Sequence, residues 1–370
     1  MNQQNEPSPM PVVQLAGKQV SRFGLGGFHQ LEISSEVVAD VIDAFLDAGG
    51  NYIETARGYG GGASEDKIGR ALQGRRDRVI LASKSGATSA DDLRRNLDAS
   101  LKALRTNRLD FYFFHGMSLD KLDRVTAPGG ALEGMTSAMD EGLIGGVGMS
   151  SHELETYLAG FERLPLSVIL IWCNYLDNLN FPIIPNQIIP AARRRGIGVT
   201  AMKPLADGFL HRSCRDAIRY CLGCGPQVAV CGTNSVQQVH EVASAVREGP
   251  ADEADTARIL RDAVELGRYV CRRCGQCPEV LMELFRLEGE FDRQMVDFLP
   301  RGPAETALRK VLSPWFSKDE VARKAFAATG AASDELISSA GGIRCPCGID
   351  VARKARIAAA KLTGADPQLI

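Results

Sequence analysis

Tyr59, Lys84 and His115 follow short apolar stretches of chain, in NYIETARGY, VILASKS and LDFYFFHG. A phenol, an ammonium and an imidazole all handle protons, and their acidity changes with burial and neighbouring charge. A (β/α) barrel gathers its catalytic groups at the C-terminal rim of its strands. Three such side chains at the ends of three successive candidate strands are therefore the material for one proton-transfer site. Taken singly they are ordinary: a loop aromatic, a solvated strand-end lysine, a structural histidine. Their order along the chain carries the reading. A second constellation is Cys271, Cys274 and Cys277 in CRRCGQC, three thiols on a tight loop at metal-ligand spacing. Cys345, followed by Pro346, completes the four-thiolate set usual for a [4Fe–4S] cluster. Tetrahedral zinc and a [2Fe–2S] centre are the rivals, and the compact triple spacing favours iron–sulfur. Cys347 stands two residues beyond Cys345. Cys221 and Cys224 also have a two-residue gap, but with Cys173, Cys214 and Cys231 they read as small packing residues.

Positioning these groups requires strands that alternate with helices. Apolar runs at 22–25, 51–54, 79–84, 109–115, 144–150, 168–174, 197–202 and 228–231 are separated by amphipathic stretches, among them 35–48, 64–72, 90–104 and 151–159. Short apolar runs between helices imply a parallel sheet buried on both faces. Eight such units predict an α/β fold, a closed TIM-type (β/α)8 barrel. Gly24, Gly26 and Gly27 do not open a helix as G-x-G-x-x-G, so a dinucleotide-binding Rossmann fold is disfavoured. The expected organisation is an N-terminal arm over 1–18, the barrel over 19–266, and a helical iron–sulfur appendage over 267–370 with helices near 279–287, 304–311 and 318–328.

The chain has 370 residues, 45% hydrophobic and 24% charged, with a formal net charge of −2. That balance offers no basic surface for nucleic acid. No apolar run approaches the roughly 18 residues that cross a bilayer, and the polar start lacks the form of a signal peptide. Ten cysteines with a metal-type triplet fit a reducing cytoplasm better than a secreted disulfide scaffold.

The segment over 51–72 resembles the strand-2 signature of the aldo-keto reductase family, which reads D-T-A-x-x-Y-G, then S-E-x-x-I/L-G-x-A-L. The matching residues are Thr55-Ala56, Tyr59-Gly60, Ser64-Glu65, Ile68-Gly69 and Ala71-Leu72, with Glu54 where the family has Asp. The resemblance runs from about 20 to about 245. It implies an oxidoreductase that interconverts a carbonyl and an alcohol, with Tyr59 as acid/base, Lys84 as its pKa partner, His115 as donor to the substrate oxygen, and Glu54 beside Lys84. Such chemistry needs a hydride from a nicotinamide and a proton from the protein. A free phenol near pKa 10 becomes useful at neutral pH only beside a cation.

The resemblance also implies a cofactor site. Gly27 and Phe28 follow the first strand. Ser150 and Ser151 end the fifth, with Ser151 where Asn is common, and Asn174 ends the sixth, with Leu170 near the place of the usual Gln. Met202 falls where relatives put an aromatic against the nicotinamide, or is a strand-end core residue. Lys203, Pro204 and Leu205 would approach the pyrophosphate. Gly232, Thr233, Asn234 and Gln238 stand where NADP-preferring relatives carry cations for the 2′-phosphate, and their loss leans the expectation slightly to NAD. Glu241 is placed near the adenine or on a solvated helix face.

CPCGIDV resembles the end of ferredoxin-type sites, and some bacterial aldo-keto reductases carry such an extension. A cluster there would be a structural staple or an electron relay to a redox partner protein. The other reading of the barrel is a nicotinamide-binding sensor or regulatory subunit with little turnover. The substrate within the aldehydes, ketones and sugars is not written in the loops.

Overall fold

The computed structural model describes residues 8–292 and 319–364; the helix expected over 304–311 and the first seven residues of the arm lie outside them. The described residues fall into two compact units, drawn from Met1–Asn174, Ile183–Asp207 and His211–Asp252, and from Tyr175–Pro182, Gly208–Leu210 and Glu253–Ile370.

The first unit opens with a hairpin, β1 (Val12–Leu15) and β2 (Lys18–Ser21), paired antiparallel. Ala16 and Gly17 both take positive φ, as a two-residue hairpin turn requires. The hairpin takes in residues 12–18 of the expected arm. Burial holds it: Leu15 and Val20 are fully buried in a cluster with Tyr52, Phe111, Val168 and Val228, which stand at or near the starts of barrel strands. Lys18 secures the hairpin through Asp110 at 3.0 Å, and Arg76 pairs with the same carboxylate at 2.9 Å.

Eight parallel strands follow: β3 (Phe23–Gly26), β4 (Tyr52–Glu54), β5 (Ile80–Ser85), β6 (Phe111–Met117), β7 (Val147–Ser151), β8 (Leu166–Trp172), β9 (Gly198–Met202) and β10 (Val228–Cys231). They close as a barrel, β10 pairing with both β3 and β9. Around it in chain order run α1 (Ser35–Asp47), α2 (Ala63–Ala71), α3 (Ala90–Leu104), α4 (Leu119–Thr126), α5 (Ala131–Asp140) and α6 (Glu155–Arg163). After α7 (Tyr175–Asn180), which belongs to the second unit, come α8 (Ile189–Arg194), α9 (Cys214–Gly223) and α10 (Val236–Arg247). One expectation shifts. The helix expected from 151 begins at Glu155, because Ser151 is still strand. The connection from β6 to α5 holds helix α4, whose Leu122 and Val125 are buried.

The second unit contains α11 (Glu253–Asp262), and α12 (Glu279–Asp292), α13 (Asp319–Ala328), α14 (Ser333–Ser339) and α15 (Val351–Thr363) surround a core of Leu281, Leu284, Phe285, Phe326, Leu336 and Ala358. That core also holds charge. Glu288 is fully buried and paired with Lys354 and with Lys361, the latter at 3.0 Å. Burial alone would raise the Glu288 carboxyl; the two ammonium groups hold it down to about 2. Among the described residues no helix is long and apolar enough to cross a membrane.

The motif glycine in α2 has a packing role. A Cβ on Gly69 would stand 2.4 Å from the Ala103 carbonyl oxygen and 2.6 Å from the Leu104 Cα, backbone atoms of the neighbouring α3 that cannot swing aside. Gly69→Ala therefore forces α2 from α3. A loss of about 1–3 kcal/mol in stability is expected from urea titration, despite the better helix propensity of alanine.

Candidate active site

The peptide groups themselves aim the candidate catalytic side chains. Glu54 is the last residue of β4, and Lys84 and His115 lie near the ends of β5 and β6. Past Glu54 the chain continues to bond along β5: the Thr55 N–H donates to the Ala82 carbonyl and the Arg57 N–H to the Lys84 carbonyl, both at 2.9 Å. This extra length of ladder carries Tyr59 over Lys84. The Lys84 ammonium stands 4.7 Å from the centre of the Tyr59 ring. The Tyr59 ring meets His115 edge-on at 5.6 Å and Phe28 edge-on at 5.2 Å. Lys84 also contacts the Glu54 carboxylate and donates to the Thr55 carbonyl at 2.7 Å. The four residues proposed from sequence thus share one place at the C-terminal rim, and the longer Glu54 side chain reaches the lysine.

A second layer holds that rim. The Ser64 hydroxyl donates to the Gly27 carbonyl at 2.7 Å and pairs with the Thr55 hydroxyl at 2.8 Å. Glu65, fully buried, accepts from Ser83 at 2.6 Å and pairs with Arg57 at 2.8 Å. Arg57 also donates to the Gly61 carbonyl. Gly60, Gly61 and Gly62 all have φ between 60° and 100°, a turn in which other residues would be strained. Arg57 was not singled out in the sequence; its position between Ala56 and Tyr59 was the available signal.

His152 is another residue the sequence left unassigned. Its ring stacks on Trp172 at 5.6 Å, and its charge acts on His115. Lys121 acts on His115 as well, and donates to the Gly116 carbonyl at 2.8 Å. Lys121 lies on α4, directly after His115's own strand, and His152 follows β7, the strand paired beside it.

The residues expected to hold a cofactor divide. Gly27 is buried, with its N–H on the Glu54 carbonyl at 2.7 Å, and Phe28 is 48% exposed beside Tyr59. Ser150 accepts from the Gly116 N–H at 3.4 Å. Ser151 serves the protein: its hydroxyl donates to the Met117 carbonyl at 2.6 Å and accepts from the Glu153 N–H at 2.8 Å. Leu170 lies in the barrel interior, and Met202 packs against that interior cluster. Asn174 donates to the Lys203 carbonyl at 3.0 Å. Lys203 has φ 55° and pairs with Asp207 at 2.9 Å, in a turn that continues through Pro204 and Leu205. After β10, Gly232 is exposed, while the buried Thr233 hydroxyl has no hydrogen-bond partner among the described residues. Gln238 and Glu241 are exposed on α10, and Glu241 faces Cys214. Loops after β9 and β10 with a helix N-terminus behind them are where barrels commonly bind phosphate. The orphaned Thr233 hydroxyl fits a polar ligand there.

The cysteines lie together in the second unit. Cys271, Cys277 and Cys345 pack against its core. Cys271 lies close enough to Cys274 and Cys345 for their charges to interact, as does Cys277 to the other three. Among the described residues no group of three His, Cys, Asp or Glu side chains is drawn together tightly enough to hold a metal ion as it stands. The donor set is nonetheless all sulfur, the chemistry that soft metals and iron–sulfur clusters require. Cys173, Cys214, Cys221 and Cys231 are buried, as packing residues should be.

A family model described as the aldo/keto reductase family matches residues 22–221. An L-galactose dehydrogenase of Arabidopsis thaliana is 28% identical over 211 residues, covering 52% of this chain and 64% of its own length. A norsolorinic acid reductase B of Dothistroma septosporum is 34% identical over 129 residues, 29% of this chain and 33% of its own. The chain spans less than two thirds of the length of these curated relatives. Among solved structures, the holo form of an aldo-keto reductase of Bacillus halodurans superposes with a TM-score of 0.60 at 24% identity, covering 68% of this chain and 95% of the other. An aldo/keto reductase of Klebsiella pneumoniae in complex with NADP and acetate superposes with a TM-score of 0.57 at 22% identity, covering 68% and 94%. At that identity the likeness is one of fold.

Charge states at the rim follow from burial. Burial pushes the Tyr59 phenol up and the Lys84 ammonium well down, and the Glu54 carboxylate is in contact with that ammonium. His115 is held down to about 3, first by burial, then by Lys84, His152 and Lys121. It is therefore neutral at pH 7 and has one ring N–H to donate. An unfolded histidine titrates near 6.5, so below that pH the unfolded chain takes up a proton that the folded one refuses. The stability contributed is complete above about 6.5 and is lost as pH falls towards 3. Relative to wild type, His115→Gln should gain about 2 kcal/mol of urea stability between pH 7 and pH 5. An unchanged difference would show that His115 is not kept neutral.

Proposed function

The chain belongs to the aldo/keto reductase family, and we propose that it is a nicotinamide-dependent oxidoreductase interconverting a small carbonyl compound and its alcohol. The observation that carries this reading is the Lys84 ammonium set against the Tyr59 ring and in contact with Glu54, with His115 edge-on to the same phenol. A bound nicotinamide would supply the hydride for the carbonyl carbon. Gly27, Phe28, Ser150, Asn174, Met202, the turn over 203–205 and the segment over 232–238 are the residues proposed to hold it, with Ser151 supporting them through Met117 and Glu153.

In reduction, Tyr59 gives its proton to the substrate oxygen, and the resulting phenolate faces Lys84. The ammonium makes that transfer feasible, because a nearby cation favours the phenolate over a phenol that burial otherwise keeps protonated. Glu54 keeps Lys84 charged against the cost of burial. His115 donates its N–H to the substrate oxygen, orienting it and stabilising charge as it develops. Phe28, half exposed beside the phenol, is placed to cover the substrate from water. One relative is named for L-galactose and another for norsolorinic acid; the substrate class proposed here is a small carbonyl compound or its alcohol.

Tyr59→Phe removes the transferable proton and keeps the ring. It should lower kcat/KM by about 10²–10⁴-fold in NADH oxidation with an aldehyde and sugar panel, with cofactor affinity preserved. Tight cofactor binding by wild type without turnover on any substrate would instead favour a nicotinamide sensor.

For the second unit we propose that Cys271, Cys274, Cys277 and Cys345 hold a [4Fe–4S] cluster, with zinc as the competing occupant. What supports it is the all-sulfur donor set gathered against one core. Anaerobically purified protein should contain iron and acid-labile sulfide with broad visible absorbance, and Cys274→Ser should lose them. Zinc without sulfide would overturn the cluster.

A further inference from the structure

Glu32, in the turn between β3 and α1, lies far in sequence from the segment after β10 and is bound to it. The Asn234 amide donates to one Glu32 carboxylate oxygen at 3.0 Å, and His29 Nδ1 stands 2.9 Å from the other. Both oxygens are held in place. The turn itself is fixed by Lys67, whose ammonium donates to the carbonyls of Gln30, Leu31 and Ile33. It is tied across by Gln30, which donates to the Thr233 carbonyl at 2.7 Å. His29 lies directly over Gly232, where a Cβ would come within 2.1 Å of its ring. The Gln238 side chain meanwhile accepts from the Asn234 N–H at 2.8 Å.

The result is a carboxylate beside a loop and helix N-terminus of the kind that barrels use for phosphate. The residues over 232–242, GTNSVQQVHEV, contain no lysine or arginine, and the nearby Lys67 is committed to the turn. A nicotinamide dinucleotide laid along the loops after β9 and β10 ends in an adenosine ribose. That ribose carries either a 2′-hydroxyl or a 2′-phosphate. A carboxylate accepts a hydrogen bond from the first and repels the second.

We propose that Glu32 makes this site select the unphosphorylated dinucleotide, by accepting from the ribose 2′-hydroxyl where a 2′-phosphate would otherwise sit. This rests on the cofactor reading above. It goes further than the missing cations, because it names a group from another part of the chain that acts against the phosphate. Glu32 is a specificity residue and has no part in proton transfer.

The test is fluorescence titration of the full chain with NADH and with NADPH. Wild type should bind NADH at least about tenfold more tightly than NADPH. Glu32→Gln keeps an acceptor for Asn234 but removes the charge, so the ratio should fall towards unity, chiefly through tighter NADPH binding. Glu32→Arg should reverse the preference. Wild type that prefers NADPH, or a Glu32→Gln variant that weakens both cofactors equally, would overturn the proposal and leave Glu32 a structural tie. If wild type binds neither cofactor at millimolar concentration, the nicotinamide reading falls and this one with it. Binding of both without discrimination removes this inference alone.

Discussion

A lysine ammonium buried at the barrel rim is the constraint around which the rest of the site is arranged. Lys84 is only 1% exposed, and an isolated charge in such a place costs several kcal/mol or loses its proton. Glu54 and the Thr55 carbonyl supply the compensation. A buried pair of this kind is weak evidence of stability, since an apolar pair of similar volume often serves a fold as well. Its value is positional. It locks the end of β4 to β5 and fixes a positive charge beneath a phenol. It also forbids a second positive charge nearby, which is one reason His115 stays neutral.

The loop that brings Tyr59 to that charge shows why the family signature contains residues that do no chemistry. Arg57 cannot be near Gly61 and Glu65 at once unless the three glycines over 60–62 turn left-handed. Glu65 cannot stay buried without Ser83 and Arg57. Ser64 joins the same loop to Gly27, so the turn after β3 and the loop that carries Tyr59 share one network. Gly69 lets the helix behind them approach α3. The spacing of the signature is thus the spacing of one local fold, a strand, a turn and a helix.

Strand positions are legible in this sequence because a parallel barrel buries both faces of each strand, leaving short apolar runs between polar helices. Their bounds differ from the expected ones by up to three residues, as at β7, where Ile144 forms only an isolated bridge to Leu109. Tyr59, Lys84, His115 and Glu54 are legible because each is tied to a strand end. Glu32, Arg57 and His152 are not. Each acquires its meaning from a partner on another segment: Asn234 for Glu32, Glu65 for Arg57, Trp172 for His152. Periodicity contains no trace of such pairs. The hairpin over 12–21 escaped for a different reason. It is short and partly polar, and only Leu15 and Val20 are buried in the barrel interior.

The second unit poses the opposite balance of core and charge. Its helices bury Glu288, Lys354 and Lys361 among leucines and phenylalanines, with the Lys354 ammonium 3.9 Å from the centre of the Tyr269 ring. Each of those groups is desolvated, so the pairing recovers energy that burial has already cost. A small helical core with such a component gains less from its apolar contacts than its size suggests. Cys277 and Cys345 are distant in sequence and packed on that same core. A bond network joining them through metal would shorten the longest loop the unfolded chain must close, and its binding energy would become folding energy. Burial raises the Cys271 thiol, and the Arg273 N–H and the Lys354 charge offset that only in part, so a bound metal would have to supply the rest of the bias towards the thiolate it requires. A staple of this sort suits the unit whether or not electrons ever pass through it.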